Sequence, residues 1–284
     1  MSVKNFIPTL WAEGMLRDLD AKSDFAEDCI RDYEGALKQK GDQVRIPTAG
    51  EITIKNGKDV VNNTIDAPER PEGGAVTLVV DQERYFNFAV NDVDKAQSMP
   101  NIMEEYRQSA AEGMAQEEDA YLASLVAKDE AVKIYGKAPL KVVAGTAGEG
   151  EVNAMYLLDL AVERLRENNV ADKTKIVVTV PPKFLTLLNR ELIDKDTDNS
   201  KRISSGYYGT YNGIVIKWSN NVKMQGGVYH MPIRTKRAMA FVRTLVETEA
   251  YRPERSFADA IKGLELFGGK IVRPKEIFDL NVTF

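Results

Sequence analysis

Between residues 98 and 128 the apolar positions recur at helical spacing, and the other elements of the chain fall to either side of that run. With Met99 as origin, Ile102, Met103, Tyr106, Ala110, Met114 and Tyr121 lie within about 60° either side of it. Glu105, Gln108, Glu112, Gln116 and Asp119 fall opposite. Ser98 is placed to cap, and Pro100 sits in the first turn, where a missing N–H costs nothing. The pattern predicts one amphipathic helix over 98–128, roughly 40 Å long. Its apolar stripe is thin and contains Glu117, as expected of a strut lying on a sheet. Gly113 costs about 1 kcal/mol relative to alanine in mid-helix. A close neighbour is therefore expected at Gly113 and Ala110.

Upstream, two helical patterns carry Leu10, Trp11, Met15, Leu16 and Leu19, then Phe25, Ala26, Cys29, Ile30 and Tyr33, with Gly35 and Gly41 as breaks. This reads as an arm without a core of its own, whose Trp11 needs a covering surface. Residues 43–47 alternate as a strand, 51–55 follow, and Asn56-Gly57 signals a tight turn. The run NGKDVVNNTIDAPERPEGG is polar, and 75–80 and 84–90 are strands. The polar run is either a long loop or an extended hairpin projecting from the body. Fifteen extended residues would reach about 50 Å. A loop this long in a compact domain is usually functional.

After the long helix, 131–143 reads as strand material broken at Gly136. A helix over 152–168 is expected, with Val152, Met155, Tyr156, Leu158, Ala161, Val162 and Leu165 as its apolar positions. KIVVTV is a buried strand, Pro181-Pro182 open a helix through Leu188, 193–205 is a charged surface loop, and IVIKWS is a strand. This alternation predicts a compact α/β unit over 150–230. Residues 237–248 alternate again, 257–267 and 270–272 are strands around Gly268-Gly269, and 274–280 close the chain.

The 284 residues, 43% hydrophobic, allow one large domain or two ordinary ones. Lys+Arg 38 against Asp+Glu 43 gives −5, which argues against a dedicated nucleic-acid binder and leaves room for a protein that surrounds nucleic acid. One cysteine, Cys29, asks for no oxidising compartment, and one histidine, His230, leaves no Cys/His set for structural zinc. No apolar run suits a membrane helix, and MSVKNFIPTLWAEG has no apolar signal core. A soluble protein made in a cytoplasm is expected.

The candidate chemistry is thin. His230, in GGVYHMP, has no evident acid partner. The carboxylate pairs Glu104-Glu105, Glu117-Glu118 and Asp129-Glu130 belong to a solvated helix face or its end. Arg234, Lys236 and Arg237 read as a solvated strand end rather than a phosphate site. Tyr207, Tyr208 and Tyr211 read as a packed turn rather than a base-stacking platform. GTAGEG lacks the Lys-Ser/Thr of a phosphate loop. The residues assign no catalytic, cofactor-binding or metal-ligating role.

The order of elements is arm helix, projecting β-hairpin, long helix, inserted α/β unit, and final strands returning to the first sheet. It resembles the major capsid protein of tailed double-stranded-DNA phages, the Hong Kong 97-type fold. The text carrying the resemblance is FIPTLWAEGMLRDL with CIRDYEGALKQKGDQVRIP, LVVDQERYFNFAVNDVDKAQS, DKTKIVVTVPPKFLTLL, YGTYNGIVIKWSNN and TEAYRPERSFADAIKGLELFGGKIVRP. The resemblance implies an α+β chain with an N-terminal arm (1–41) and an extended loop with its flanking strands (42–90). A peripheral domain (91–148) would hold the spine helix 98–128, an axial domain would span 149–232, and return strands of the peripheral domain would span 233–284. It implies self-assembly into pentamers and hexamers of an icosahedral shell enclosing DNA without sequence-specific contact, with scaffold and portal proteins as partners and no membrane. The protein would reside in the virion capsid after synthesis in the bacterial host cytoplasm. Trp11, Lys55, Lys58, Asp66, Glu69, Arg70, Glu72, Tyr207 and Tyr208 are the expected assembly contacts. Some members cross-link a Lys to an Asn, but no marker of that reaction accompanies Lys55, Lys58, Asn62 or Asn63. The alternatives are an encapsulin-like nanocompartment shell and a soluble α/β enzyme working through His230.

Overall fold

The computed structural model describes residues 8–36, 39–48, 54, 74–91, 102–129, 133–134, 139–168, 170, 175–193, 210–255 and 257–284. The strands are β1 (Gln43–Thr48), β2 (Gly74–Val79), β3 (Gln82–Asn91), β4 (Lys133–Ile134), β5 (Leu140–Val143), β6 (Glu151–Asn153) and β7 (Ile176–Val180). They continue with β8 (Thr210–Tyr211), β9 (Ile214–Trp218), β10 (Met224–Gln225), β11 (Val228–Thr235), β12 (Met239–Tyr251), β13 (Ala258–Ile271) and β14 (Ile277–Thr283). The helices are α1 (Pro8–Lys22), α2 (Ile102–Lys128), α3 (Ala154–Glu167) and α4 (Pro182–Ile193).

Three sheets result. β1 and β2 pair antiparallel, with Thr48 opposite Gly74, the two residues that flank positions 49–73. β12, β13 and β3 form an antiparallel sheet in that order. The large sheet runs β6-β5-β14-β11-β7-β9-β8, with β4 joining β14 and β10 joining β11. The final strands therefore do not all return to the first sheet. β12 and β13 form a sheet with β3, apart from the β1–β2 pair, while β14 inserts between β5 and β11, with Leu280 opposite Met231 and Val282 beside Leu140. Ile277, Phe278, Leu280 and Val282 are buried, and a strand apolar on both faces needs an interior slot.

α3 and α4 follow from local signals. Asn153 caps α3 by accepting from Met155 N (2.9 Å) and Tyr156 N (3.2 Å), and Leu157, Leu158, Ala161, Val162 and Leu165 form its buried face. Tyr156, one of the apolar positions, is exposed. Pro182 opens α4, which continues past Leu188 to Ile193 and buries Phe184 and Leu188.

α2 spans 102–128; the expected start at 98–101 lies outside the described residues. Its buried positions are Arg107, Ala111, Met114, Ala115, Glu118, Asp119, Leu122, Ala123 and Val126. The face is turned from the expected one. Tyr106 is 42% exposed, whereas Asp119, placed opposite the stripe by its polarity, is 1% exposed. The helix is covered on two sides, by α1 and by β13, so the buried arc is wider than its apolar stripe. Gly113 is not a point of close approach, since a Cβ there would meet open space. The close approaches lie on β13. A Cβ at Gly269 would come within 2.9 Å of Leu122 and 3.0 Å of Leu125 on α2. One at Gly268, on the opposite face, would come within 3.0 Å of Val80 Cα and closer to the Val79 carbonyl. The two glycines do not break a strand; β13 runs through them.

The arm has a local core after all. Met15 and Leu19 of α1 pack on Ala111, Met114 and Ala115 of α2, with Trp11 and Phe86 alongside. Beyond α1 the chain is strapped to three elements. Asp119 accepts from Ser23 Oγ, Asp24 N and Phe25 N, each at 2.9 Å. Lys217 of β9 bonds Glu27 and Asp28, each at 2.6 Å. Ile30 bridges β12, donating to Met239 O and accepting from Phe241 N, each at 2.9 Å. Burial pushes the Asp119 carboxyl above its ordinary value, and its hydrogen bonds pull it back. Asp119→Ala leaves these donors without their acceptor and is expected to cost about 2–4 kcal/mol. Chemical denaturation would show it, together with faster exchange of the Asp24 and Phe25 amides.

Candidate assembly surfaces

The role implied by the resemblance would be exercised through the surface, so the groups of interest are exposed apolar side chains and the polar joints that hold them in place. On β3 the side chains alternate. Phe86 faces α1, with its ring 5.5 Å from Trp11, and Arg84 reaches Glu117 of α2 at 3.0 Å. Tyr85 points the other way and is 79% exposed. Around it Tyr251 donates to Asn87 Oδ1 (3.0 Å), and Lys262 pairs with Glu249 (2.7 Å) over the Tyr251 ring. Tyr85, Asn87, Glu249, Lys262 and Leu264 line a cleft of about 250 Å³ on this outer face. Phe257, expected to begin a strand, is exposed ahead of β13. Gly263 is needed beneath Phe86, because a Cβ there would fall inside contact distance of the ring.

The large sheet has its own exposed apolar groups. Trp218 at the end of β9, Tyr156 on the first turn of α3 and Met224 on β10 each expose about half their surface or more. Met224 stands opposite Tyr229, whose ring lies 5.3 Å from Phe284.

Of the expected assembly contacts, Trp11 is described, and it is half-buried against its own chain's Phe86. Lys55, Lys58, Asp66, Glu69, Arg70, Glu72, Tyr207 and Tyr208 lie outside the described residues, as do Asn62 and Asn63. Tyr211 donates to Asp159 Oδ2 at 3.0 Å. Burial and this bond push its phenol up to about 12.

Three readings of candidate chemistry are corrected. His230 does have an acid partner: its Nδ1 lies 2.7 Å from Asp279 Oδ2 across the β11–β14 pairing. Burial raises the Asp279 carboxyl and the His230 contact lowers it. The two residues are 49 apart in sequence, so only strand pairing brings them together. Arg234 is no solvated strand end. It is fully buried, donating to Phe25 O (3.2 Å) and Thr179 Oγ1 (3.4 Å) over the Phe25 ring. Cys29 nearby is buried, and its thiol is pushed up to about 11 by that burial. Glu118, read with Glu117 as part of a solvated helix face, is fully buried and accepts from Arg243 Nη1 at 2.9 Å, in a polar centre whose Arg243 and Glu265 the sequence reading did not single out. The signal available for these two was a charge within each of two apolar strand runs, MAFVRTLV and GLELF. Among the described residues no group of three or more His, Cys, Asp or Glu could hold a metal ion, and no helix is long and apolar enough to cross a membrane.

Neither a protein-family model nor a curated protein matches the sequence. Solved structures do match. The capsid of the cyanophage P-SCSP1u superposes with a TM-score of 0.65 at 16% identity, over 90% of this chain and 86% of its own. The chain has the fold of phage capsid proteins. A structure from Mycobacterium phage Che8 matches with a TM-score of 0.64 at 24% identity, over 90% of both chains. A virus-like particle from Pyrococcus furiosus matches with a TM-score of 0.57 at 13% identity, over 96% of this chain and 98% of its own. In this capsid fold α2 lies between α1 and β13, and Tyr85 marks the outer face of the three-stranded sheet.

Proposed function

We propose that this chain is the major subunit of an icosahedral capsid of a tailed double-stranded-DNA phage or prophage, assembling with copies of itself as pentamers and hexamers. The observation that carries the reading is the match to phage capsid folds over nine-tenths of this chain and nearly the whole of theirs. A cellular nanocompartment shell is less favoured, because most of the matching structures come from phages. The net charge of −5 suits a wall that confines DNA without gripping it, so no sequence-specific contact is assigned. Scaffold and portal proteins complete the set of partners, and the subunit is made in the bacterial cytoplasm and ends in the virion. The role asks no catalysis of the chain.

Residues 49–73, whose flanking strands β1 and β2 are paired, supply contacts between subunits, with Lys55, Lys58, Asp66, Glu69, Arg70 and Glu72 as their charged members. Each contact is modest and closure is cooperative, because many identical contacts form at once. Negative-stain microscopy of overexpressed full-length protein is the test. Closed or aberrant shells are expected, alone or with the scaffold co-expressed. A chain that stays monomeric under all conditions and loses an assayable activity on His230→Ala overturns the reading. Deleting residues 58–73 is expected to leave a folded monomer and to block shell formation. Loss of the cooperative melting transition in that deletion would instead place the segment in the core.

A further inference from the structure

Two turns meet where the large sheet gives way to the three-stranded one: 236–238 between β11 and β12, and 272–276 between β13 and β14. The Ala238 carbonyl joins them, accepting from Val272 N (2.8 Å) and Arg273 N (3.1 Å). Glu276, 8% exposed, ties the side chains together. Its Oε1 accepts from Arg237 Nη2 (3.2 Å) and Arg273 Nη1 (3.0 Å), and its Oε2 accepts from Thr235 Oγ1. One buried carboxylate thus holds two guanidiniums, each with nearly half its side chain exposed. Lys236 and Lys275 beside them are exposed as well. The sequence places only Lys236 next to Arg237; Arg273 and Lys275 arrive from the far end of the β12–β13 hairpin.

Four cations against one carboxylate make a strongly positive spot on a chain of net charge −5. The neighbouring acid at the end of α3, Glu167, is taken up by Arg164 (2.7 Å). Asn168 there donates to Lys275 O (3.3 Å), which fixes the second turn in place. Like charges gathered in this way repel one another, and an anion from outside relieves them. A guanidinium carries five N–H donors in a fork that fits phosphate oxygens, and the bond to Glu276 leaves each arginine with donors for another oxyanion.

We propose that Lys236, Arg237, Arg273 and Lys275 bind the phosphate backbone of double-stranded DNA, without regard to base sequence. The inference rests on the capsid reading, which puts duplex DNA against the wall of the shell. The overall −5 does not oppose it, because charges act locally within a screening length of about 8 Å at physiological salt. The grip of one subunit is weak, since few phosphates are engaged, and the many copies in a shell multiply it.

The test uses the unassembled full-length chain and a fluorescently labelled duplex of mixed sequence, read by anisotropy between about 50 and 200 mM salt. Parent binding is expected to weaken with salt, with a log–log slope of about −0.9 per phosphate engaged. Lys236→Gln with Lys275→Gln spares the joint at Glu276. This pair should reduce the slope by about two and the affinity at ~100 mM salt by about tenfold or more. Lys183→Gln with Lys223→Gln removes the same charge from exposed positions elsewhere and should leave the slope close to the parent's. No binding by the parent, or an equal loss in both double variants, overturns the assignment. A strong preference between two duplexes of unrelated sequence overturns it too. So does polyglutamate that competes as well as duplex at equal charge, which would point to an acidic protein partner instead. Negative-stain microscopy of the overexpressed parent separates this inference from the reading it rests on. Shells built by a parent that cannot hold DNA sink the patch and leave the capsid reading standing. A chain that holds DNA through these lysines yet never assembles does the reverse.

Discussion

Gly268→Ala is expected to be the most damaging single-methyl addition in this protein, costing about 3 kcal/mol or more. The added carbon would sit 3.0 Å from Val80 Cα and closer to the Val79 carbonyl. Both are backbone atoms of the β2–β3 connection, held by hydrogen bonds from Gly41 N to Val80 O (2.9 Å) and from Val80 N to Asp42 O (3.1 Å). Such a neighbour cannot move aside by changing rotamer. The β1–β2 pair must lift from β13, and the small core of Ile46, Leu78, Val80, Val242 and Leu266 opens with it. Gly269→Ala is the control. Its nearest atoms are the methyl ends of Leu122 and Leu125, which can shift, so about 1–2 kcal/mol is expected. Thermal and denaturant unfolding of the two variants would measure the difference. Equal losses would mean that backbone crowding at Gly268 is not the cause. Since β1 and β2 carry the segment proposed to reach neighbouring subunits, Gly268→Ala should also lower shell yield more than its stability loss alone predicts.

The second large effect is expected at Arg234. Arg234→Ala empties the volume of a fully buried side chain and removes the group that joins β11 to Phe25. A loss of about 3–5 kcal/mol is expected, the range of large-to-alanine changes in cores. Arg234→Met retains most of the volume without the buried charge, and should cost less than about 1.5 kcal/mol. The strap over residues 23–30 should loosen in the alanine variant, with faster amide exchange at Phe25, while Asp119 still holds its end. If methionine proves as harmful as alanine, the hydrogen bonds to Phe25 and Thr179 outweigh packing at this joint. Both variants can be scored by denaturation and by amide exchange over 23–30.

Much of the element order was legible because it rests on local signals. Capping by Asn153, the proline at the start of α4, the continuous apolar run of β7 and the alternation along β12 are each visible within a dozen residues. The long helix was legible in extent but not in orientation. A thin stripe that includes small residues sets its phase weakly, and two covering elements, α1 and β13, decided which arc was buried. Gly268-Gly269 looked like a break because two glycines commonly are one. Their role in a continuous strand appears only when α2 and the β2–β3 connection are placed on its two faces.

The polar centres were the least legible. Arg234 stood beside Lys236 and Arg237 and shared their solvated reading, yet it alone points inward from β11 onto Phe25. His230 and Asp279 meet through strand pairing, and Arg243 meets Glu118 across 125 residues of chain. By itself the sequence determined the local elements, the absence of a Cys/His set for zinc, and an element order resembling a capsid subunit. Tertiary structure alone decided which charges are buried, which glycines are crowded, and that α1 packs on its own chain. These depend on contacts between residues far apart in the chain, and neither periodicity nor spacing carries that information.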